Sequence, residues 1–222
     1  MTKKNNLLLG EYSMVLNNVI EIFLFVNPLG AKSYEAEEII EVFSKERDEK
    51  VKVRFIPLLN FNSVKRQLLD EKYHSTSIEN RNRLYTDSFN ASLAYAAASM
   101  QGKKKARKFL MVLQEMIMES QGFLTKSIVI AAAKKAKLDL EMFEEDLMSD
   151  IAKSAFTKDQ KLAEEMAVND TPSCILFNGV DAECGYRIET TLSTKLLHGL
   201  CSDDTIAQEI PETKNKFRFQ MV

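Results

Sequence analysis

The chain has 222 residues, 45% of them hydrophobic and 28% charged, the balance of a globular protein with one good core; this length suits one domain with a large insertion better than two full domains. Thirty Lys+Arg against thirty-two Asp+Glu leave a net charge of −2, which supplies no overall attraction to nucleic-acid phosphates. Seven Gly and four Pro disfavour collagen-like or turn-rich all-β architectures, and no run approaches the ~20 apolar residues of a membrane span.

Residues 1–18 read as an N-terminal tail. Their short apolar run Leu7-Leu8-Leu9 is interrupted by Glu11, unlike the longer core of a signal peptide. Val19 to Val26 is a near-continuous apolar run rich in β-branched and aromatic residues, the pattern of a strand buried on both faces. Asn27-Pro28 ends it. A helix is expected from Ser33, with the Ser33 hydroxyl as cap, Glu35, Glu37 and Glu38 near its positive end, and Ala36, Ile39, Ile40 and Phe43 as its buried stripe. Val51 to Ile56 reads as a second strand, completing a right-handed parallel βαβ unit.

Phe61 to about Arg83 is polar and reads as a long connection. From Leu84 to Val168 nearly everything is helical in pattern. Phe89, Leu93, Ala97 and Met100 form a stripe ended by Gly102, and Phe109, Val112, Leu113, Met116 and Ile117 form a second, ended near Gly122. Ile128, Ala132 and Ala136 form a third, and Leu140, Phe143, Leu147 and Ile151 a fourth, capped by Asp139. Thr157 and Gln160 have the spacing of a capping box that would open a further helix. Strands return with Cys174 to Phe177 after Thr171-Pro172-Ser173; Asn178-Gly179 is a hairpin signal, and Cys184, Tyr186 and Ile188 alternate with charged residues. A last helix after Thr190 and Thr191 would bury Leu192, Leu196 and Leu200, and the tail from Ser202 is polar.

This order gives an α/β fold: a four-stranded sheet with helices, interrupted by an all-helical insertion. It is the layout of a thioredoxin-like domain with a DsbA-like insertion. The expected division is a thioredoxin-like part at 19–61 and 169–201, a helical insertion subdomain at 62–168, and a C-terminal tail at 202–222.

In such a domain a reactive thiol sits after the first strand, at a helix N-terminus that favours the thiolate. Asn27-Pro28-Leu29 is in register with the DsbA-like pattern Asp-Pro-x-Cys-x-x-Cys-Trp, but Gly30 and Ser33 stand at the two cysteine positions. Without the first thiol no mixed disulfide can form there, so no catalytic residue is assigned. Thr171, Pro172 and Ser173 match the cis-proline loop that faces the dithiol in this fold. Cys174, Cys184 and Cys201 are widely spaced, without a CxxC pair; they read as core residues of a cytoplasmic protein. His74 and His198 are far apart with no ligand partner at helical spacing, so no metal and no cofactor is expected. The basic run Lys103, Lys104, Lys105, Arg107 and Lys108 is a candidate partner patch.

The segment Ala94-Tyr95-Ala96-Ala97-Ala98-Ser99-Met100-Gln101-Gly102, continued by Phe109, resembles the A-Y-K-A-A-x-x-Q-G…F signature in the helical insertion of YjbH-type (SpxH) adaptors. Leu162 to Met166 leading into Thr171-Pro172-Ser173, and Ile22 to Leu29, resemble the same family. The resemblance implies a DsbA-like fold and an adaptor that binds the transcriptional regulator Spx and promotes its degradation by the ClpXP protease. Implied partners are therefore Spx and, through ClpX, ClpXP, with no nucleic acid and no membrane. Two departures are visible: both cysteines of the CxxC are replaced, and residues 1–18 hold no histidine, against the zinc-binding His-rich segment of some members. The competing reading is a glutathione-dependent transferase or isomerase, or another thiol–disulfide-related enzyme, on the same fold. The DsbA-like enzymes of that kind place a serine where this chain has Gly30.

Overall fold

A computed structural model describes residues 19–68, 77–120, 123–178, 184–188, 191–201 and 216–218. The order is β1 (Val19–Val26), α1 (Ala31–Glu46), β2 (Lys50–Pro57), α2 (Phe61–Leu68), α3 (Ile78–Met100), α4 (Lys103–Glu119), α5 (Lys126–Lys135), α6 (Leu140–Met148), α7 (Asp150–Glu165), β3 (Ser173–Asn178), β4 (Cys184–Ile188), α8 (Thr194–Cys201) and β5 (Lys216–Arg218).

The described strands form one mixed sheet in the order β2-β1-β3-β4-β5. β1 pairs in parallel with β2, Ile20 opposite Val51 and Val26 opposite Pro57. It pairs antiparallel with β3, Phe25 opposite Ser173. As an interior strand, β1 is covered on both faces, which is why its run lacks polar alternation. One face buries Ile20, Ile22 and Leu24 with Ile40 and Phe43 of α1 and reaches Leu110 and Leu113 of α4; the other buries Phe25 with Ile56, Ile175 and Met166. The fold is thioredoxin-like, with the helical block α2 to α7 between β2 and β3.

Four local expectations are corrected. The connection over Phe61–Arg83 contains α2 and the start of α3. Asn60 Oδ1 accepts from the Ser63 N–H and Ser63 Oγ accepts from the Asn60 N–H, a reciprocal cap that starts α2. Ser77 caps α3 by accepting from the Asn80 N–H. Thr157 and Gln160 do not open a helix but lie inside α7. The Thr157 hydroxyl donates back to the Lys153 carbonyl at 2.9 Å, and the Gln160 amide reaches Pro57 O and the Leu59 N–H. Ile151 belongs to α7, not α6, and is 59% exposed. Finally, the tail supplies a fifth strand: β5 pairs antiparallel with β4, Gly185 opposite Phe217.

The expected caps at Asp139 and the helix end at Gly102 are in place. Asp139 Oδ1 accepts from the Met142 N–H, and Gly102 takes φ +114°, beyond the last residue of α3. The expectations at Gly122, Asn178-Gly179 beyond Asn178, Thr190 and His74 lie outside the described residues.

Candidate functional site

β1 delivers the chain into a turn knitted to its surroundings. The Asn27 carboxamide is buried; it donates to Gln67 Oε1 at 3.1 Å and Ser63 O at 3.4 Å, while its Oδ1 accepts from the Leu29 N–H at 3.0 Å. The Gly30 N–H donates to Asn27 O at 3.0 Å, and Gln67 Nε2 donates to Leu29 O at 3.3 Å. Because this turn closes so early, α1 starts at Ala31 with Gly30 at the cap position. Ser33 is therefore not the cap. It lies in the first turn of α1, buried, with its Oγ accepting the Asn27 N–H at 2.9 Å. A Cβ at Gly30 would sit 3.2 Å from Asn27 Cβ, so the turn is tight where the first cysteine of the DsbA-like pattern would stand.

Opposite lies the proline loop. The Thr171–Pro172 peptide bond is cis. Thr171 is buried, its N–H donating to Asp170 Oδ1 at 2.8 Å, and the Ser173 hydroxyl donates to Asp170 O at 2.7 Å. Between this loop and the first turns of α1 runs a groove of about 420 Å³. Leu24, Ala36, Ile39, Pro172, Ile188 and Leu192 make it largely apolar, with Lys32, Glu35 and Thr191 at hand for polar contacts. Cys174 also lines it, but burial pushes its thiol up to about 12, so at neutral pH it holds its proton and is a poor nucleophile. Cys201 is half-buried and is raised to about 11 for the same reason. The structure thus brings the Gly30 and Ser33 positions and the Thr171–Ser173 loop to the same end of the sheet, beside α1. What it offers there is shape and apolar area.

The basic run is divided. Lys103, Lys104, Lys105 and Lys108 are exposed on α4. Arg107 is turned inward and leaves the patch: Nε donates to Glu41 Oε1 at 2.6 Å, Nη1 to Val53 O at 3.4 Å, and the guanidinium lies over the Phe55 ring. Val53 and Phe55 are on β2, across β1 from β3, which follows Pro172, and from β4, which carries Ile188. The lysines and the groove are therefore separate surfaces.

His198 is not isolated. Its Nε2 is 2.9 Å from Glu46 Oε2, and its ring packs on Phe43 with centroids 4.9 Å apart. Among the described residues no group of His, Cys, Asp or Glu could hold a metal, and no helix is long and apolar enough to cross a membrane. Glu37 is one of the acids that the sequence places near the positive end of α1. It is instead fully buried and bonded to Gln114 of α4. Gln114 carries no sequence signal that distinguishes it from the solvated residues around it.

A family model described as Thioredoxin matches residues 23–198. The curated "ClpXP adapter protein SpxH" of Staphylococcus saprophyticus is 30% identical over 196 residues, covering 86% of this chain and 70% of that protein. The chain belongs to the SpxH family. The SpxH of Staphylococcus aureus is 27% identical over 170 residues, 77% of this chain and 59% of its own length, so the chain spans about three-fifths of some SpxH relatives. Among solved structures, a putative protein disulfide isomerase from Nitrosomonas europaea superposes with a TM-score of 0.63 at 18% identity, over 86% of this chain and 99% of that one. That likeness carries the fold. The DsbA-like architecture expected from the element order agrees with the Thioredoxin match and with this structural likeness.

Proposed function

We propose that the chain is an adaptor that binds the transcriptional regulator Spx and promotes its degradation by ClpXP, acting in the cytoplasm and without catalysis of its own. The observation that carries this reading is membership in a family whose curated relatives are named ClpXP adapter proteins. The site supports it. Gly30 cannot donate a thiolate, Ser33 has its hydroxyl engaged by a backbone amide, and the neighbouring Cys174 is buried as a thiol. What is left is an apolar groove beside α1 and a broad helical block.

An adaptor needs contact area and a preference. It must hold its substrate and favour the conformation that the protease engages, and its effect is bounded by the difference in its affinity for the two conformations. A standard interface of about 800 Å² per partner is ample for this. The groove is the contact we assign first, because it combines the partly exposed Ile39, Pro172 and Leu192 with the exposed Lys32 and Glu35, an apolar centre with orienting charges. The exposed lysines at the start of α4 are a second, purely electrostatic candidate.

The test is a reconstituted reaction. Addition of the chain should raise the rate at which ClpXP degrades Spx, without consumption of the chain itself. Unchanged turnover at saturating chain, with no complex by calorimetry, would refute the proposal. A thermal shift with millimolar glutathione would instead favour the transferase reading.

A further inference from the structure

Three side chains on one face of α1 meet three on α4. The Tyr34 hydroxyl donates to Glu115 Oε1 at 2.8 Å, Gln114 Nε2 donates to Glu37 Oε1 at 2.9 Å, and Arg107 Nε donates to Glu41 Oε1 at 2.6 Å. The outer two rungs reach solvent. The central rung does not, with Glu37 0% and Gln114 1% exposed.

The central rung is short of one donor. Gln114 Nε2 also donates to the Asn27 carbonyl at 3.5 Å, which occupies both amide protons. Among the described residues Glu37 Oε2 and Gln114 Oε1 are buried and have no hydrogen-bond partner. Turning the amide over gives no relief, since its oxygen would then face the Asn27 carbonyl and the carboxyl of Glu37. A carboxylate only accepts, so an ionised Glu37 leaves both atoms orphaned in a site without water access, at a cost of the kind native cores avoid. One proton on Oε2 changes the count, because the acid O–H can donate to Gln114 Oε1.

We propose that Glu37 is a neutral carboxylic acid that forms a two-bond acid–amide ring with Gln114, a proton-dependent latch holding the helical block onto α1. The latch is independent of what the chain binds.

The surrounding charges are consistent with it. On α1, Glu41 is a like charge and is itself taken by Arg107 of α4; on α4, Glu115 is taken by Tyr34. On α3, Tyr95 is buried and donates its hydroxyl to Phe55 O at 3.0 Å. On α8, His198 pairs with Glu46 at the other end of α1. Among the described residues no cation is bonded to Glu37. Burial first, and Glu41 to a lesser degree, push its carboxyl well above the usual carboxylate range, against the hydrogen bond from Gln114. The folded chain then holds a proton that the unfolded chain releases above about pH 4.3, so this group's contribution to stability falls as pH rises from there until the folded acid ionises.

Infrared difference spectra of the full chain against Glu37→Gln should show a protonated-carboxyl C=O band at pH 7 that the variant lacks. Glu37→Gln keeps the ring, with an amide N–H in place of the O–H. Its urea midpoint should equal or exceed the parent's at pH 7, with the advantage growing as pH rises. Gln114→Met should open the seam, raising amide exchange in α4 about tenfold. ¹³C-carboxyl NMR of the unmutated chain, which needs no variant to fold, should find one glutamate that does not titrate between about pH 4 and 6. If every glutamate titrates in that range, or the band is missing at pH 7, or Glu37→Gln is less stable than the parent at pH 7, the latch is overturned.

Discussion

The Asn27–Ser33 turn and the groove beside Pro172 adjoin the same helix, yet they are built in opposite ways. In the turn, the Asn27 and Ser33 side chains and nearby backbone groups are consumed by internal hydrogen bonds to one another, Gln67 and Ser63. In the groove, the apolar side chains of Ile39, Pro172 and Leu192 are partly exposed over a buried floor of Leu24, Ala36 and Ile188. The comparison shows how a scaffold of this fold can lose its thiol chemistry and retain a surface. Gly30 and Ser33 in place of cysteines remove the nucleophile; the closed turn fixes the N-terminus of α1, so that Ile39 presents a defined wall to a partner. Stability resides in one region and recognition, on our reading, in the other.

Substitutions should separate the two. Asn27→Leu should have the largest effect, about 3 kcal/mol of lost stability in urea unfolding, because it strips partners from buried groups of Leu29, Ser63 and Gln67. Ile39→Arg places a charge in the groove wall; it should weaken Spx binding at least ~30-fold by calorimetry, about 2 kcal/mol, a value typical of a central anchor. A similar loss of binding with Asn27→Leu in the folded state would break the separation. Ser33→Ala leaves the buried Asn27 N–H without its acceptor and should cost about 1–2 kcal/mol of stability while ClpXP-driven Spx turnover is unchanged; a drop in turnover would return a functional role to this hydroxyl. Lys104→Glu should be the mildest. It replaces a cation with an anion at the positive end of α4 and should stabilise by about 0.5 kcal/mol in thermal melts. If it also slows Spx degradation, the lysine surface joins the groove as a contact.

Strands β1 to β4 were legible from periodicity, helped by burial on both faces of β1 and β3, which leaves little room for polar residues; β5, in the polar tail, was not. The parallel βαβ start, the antiparallel return and the long helical stretch followed from that pattern. Short helices were harder. α2 is held by the reciprocal Asn60–Ser63 cap and buries only a narrow stripe through Val64 and Leu68, so its polar composition concealed it. The Thr157–Gln160 spacing misled for the opposite reason: a capping box is a local pattern, and whether a helix starts there depends on whether an earlier one has already ended. At the site, the replaced thiols were plain in the sequence, since residue identity alone decides that chemistry. The inward turn of Arg107 and the burial of Glu37 were not. Both depend on α4 crossing α1, a tertiary contact that leaves no periodic trace in either helix.

The position of β1 in the sheet also sets a temporal order. Its parallel neighbour β2 is close in sequence, but its other neighbour β3 lies about 150 residues further along, Phe25 against Ser173, so that pairing carries a large loop-closure cost until the intervening chain is compact. The helices between are built on contacts local in sequence and can form early. During synthesis β1 must therefore wait, with one edge unpaired and apolar on both faces, until the helical block is made and β3 emerges. A chain halted before Ser173 would leave a long apolar strand edge unpaired, the kind of edge that templates aggregation.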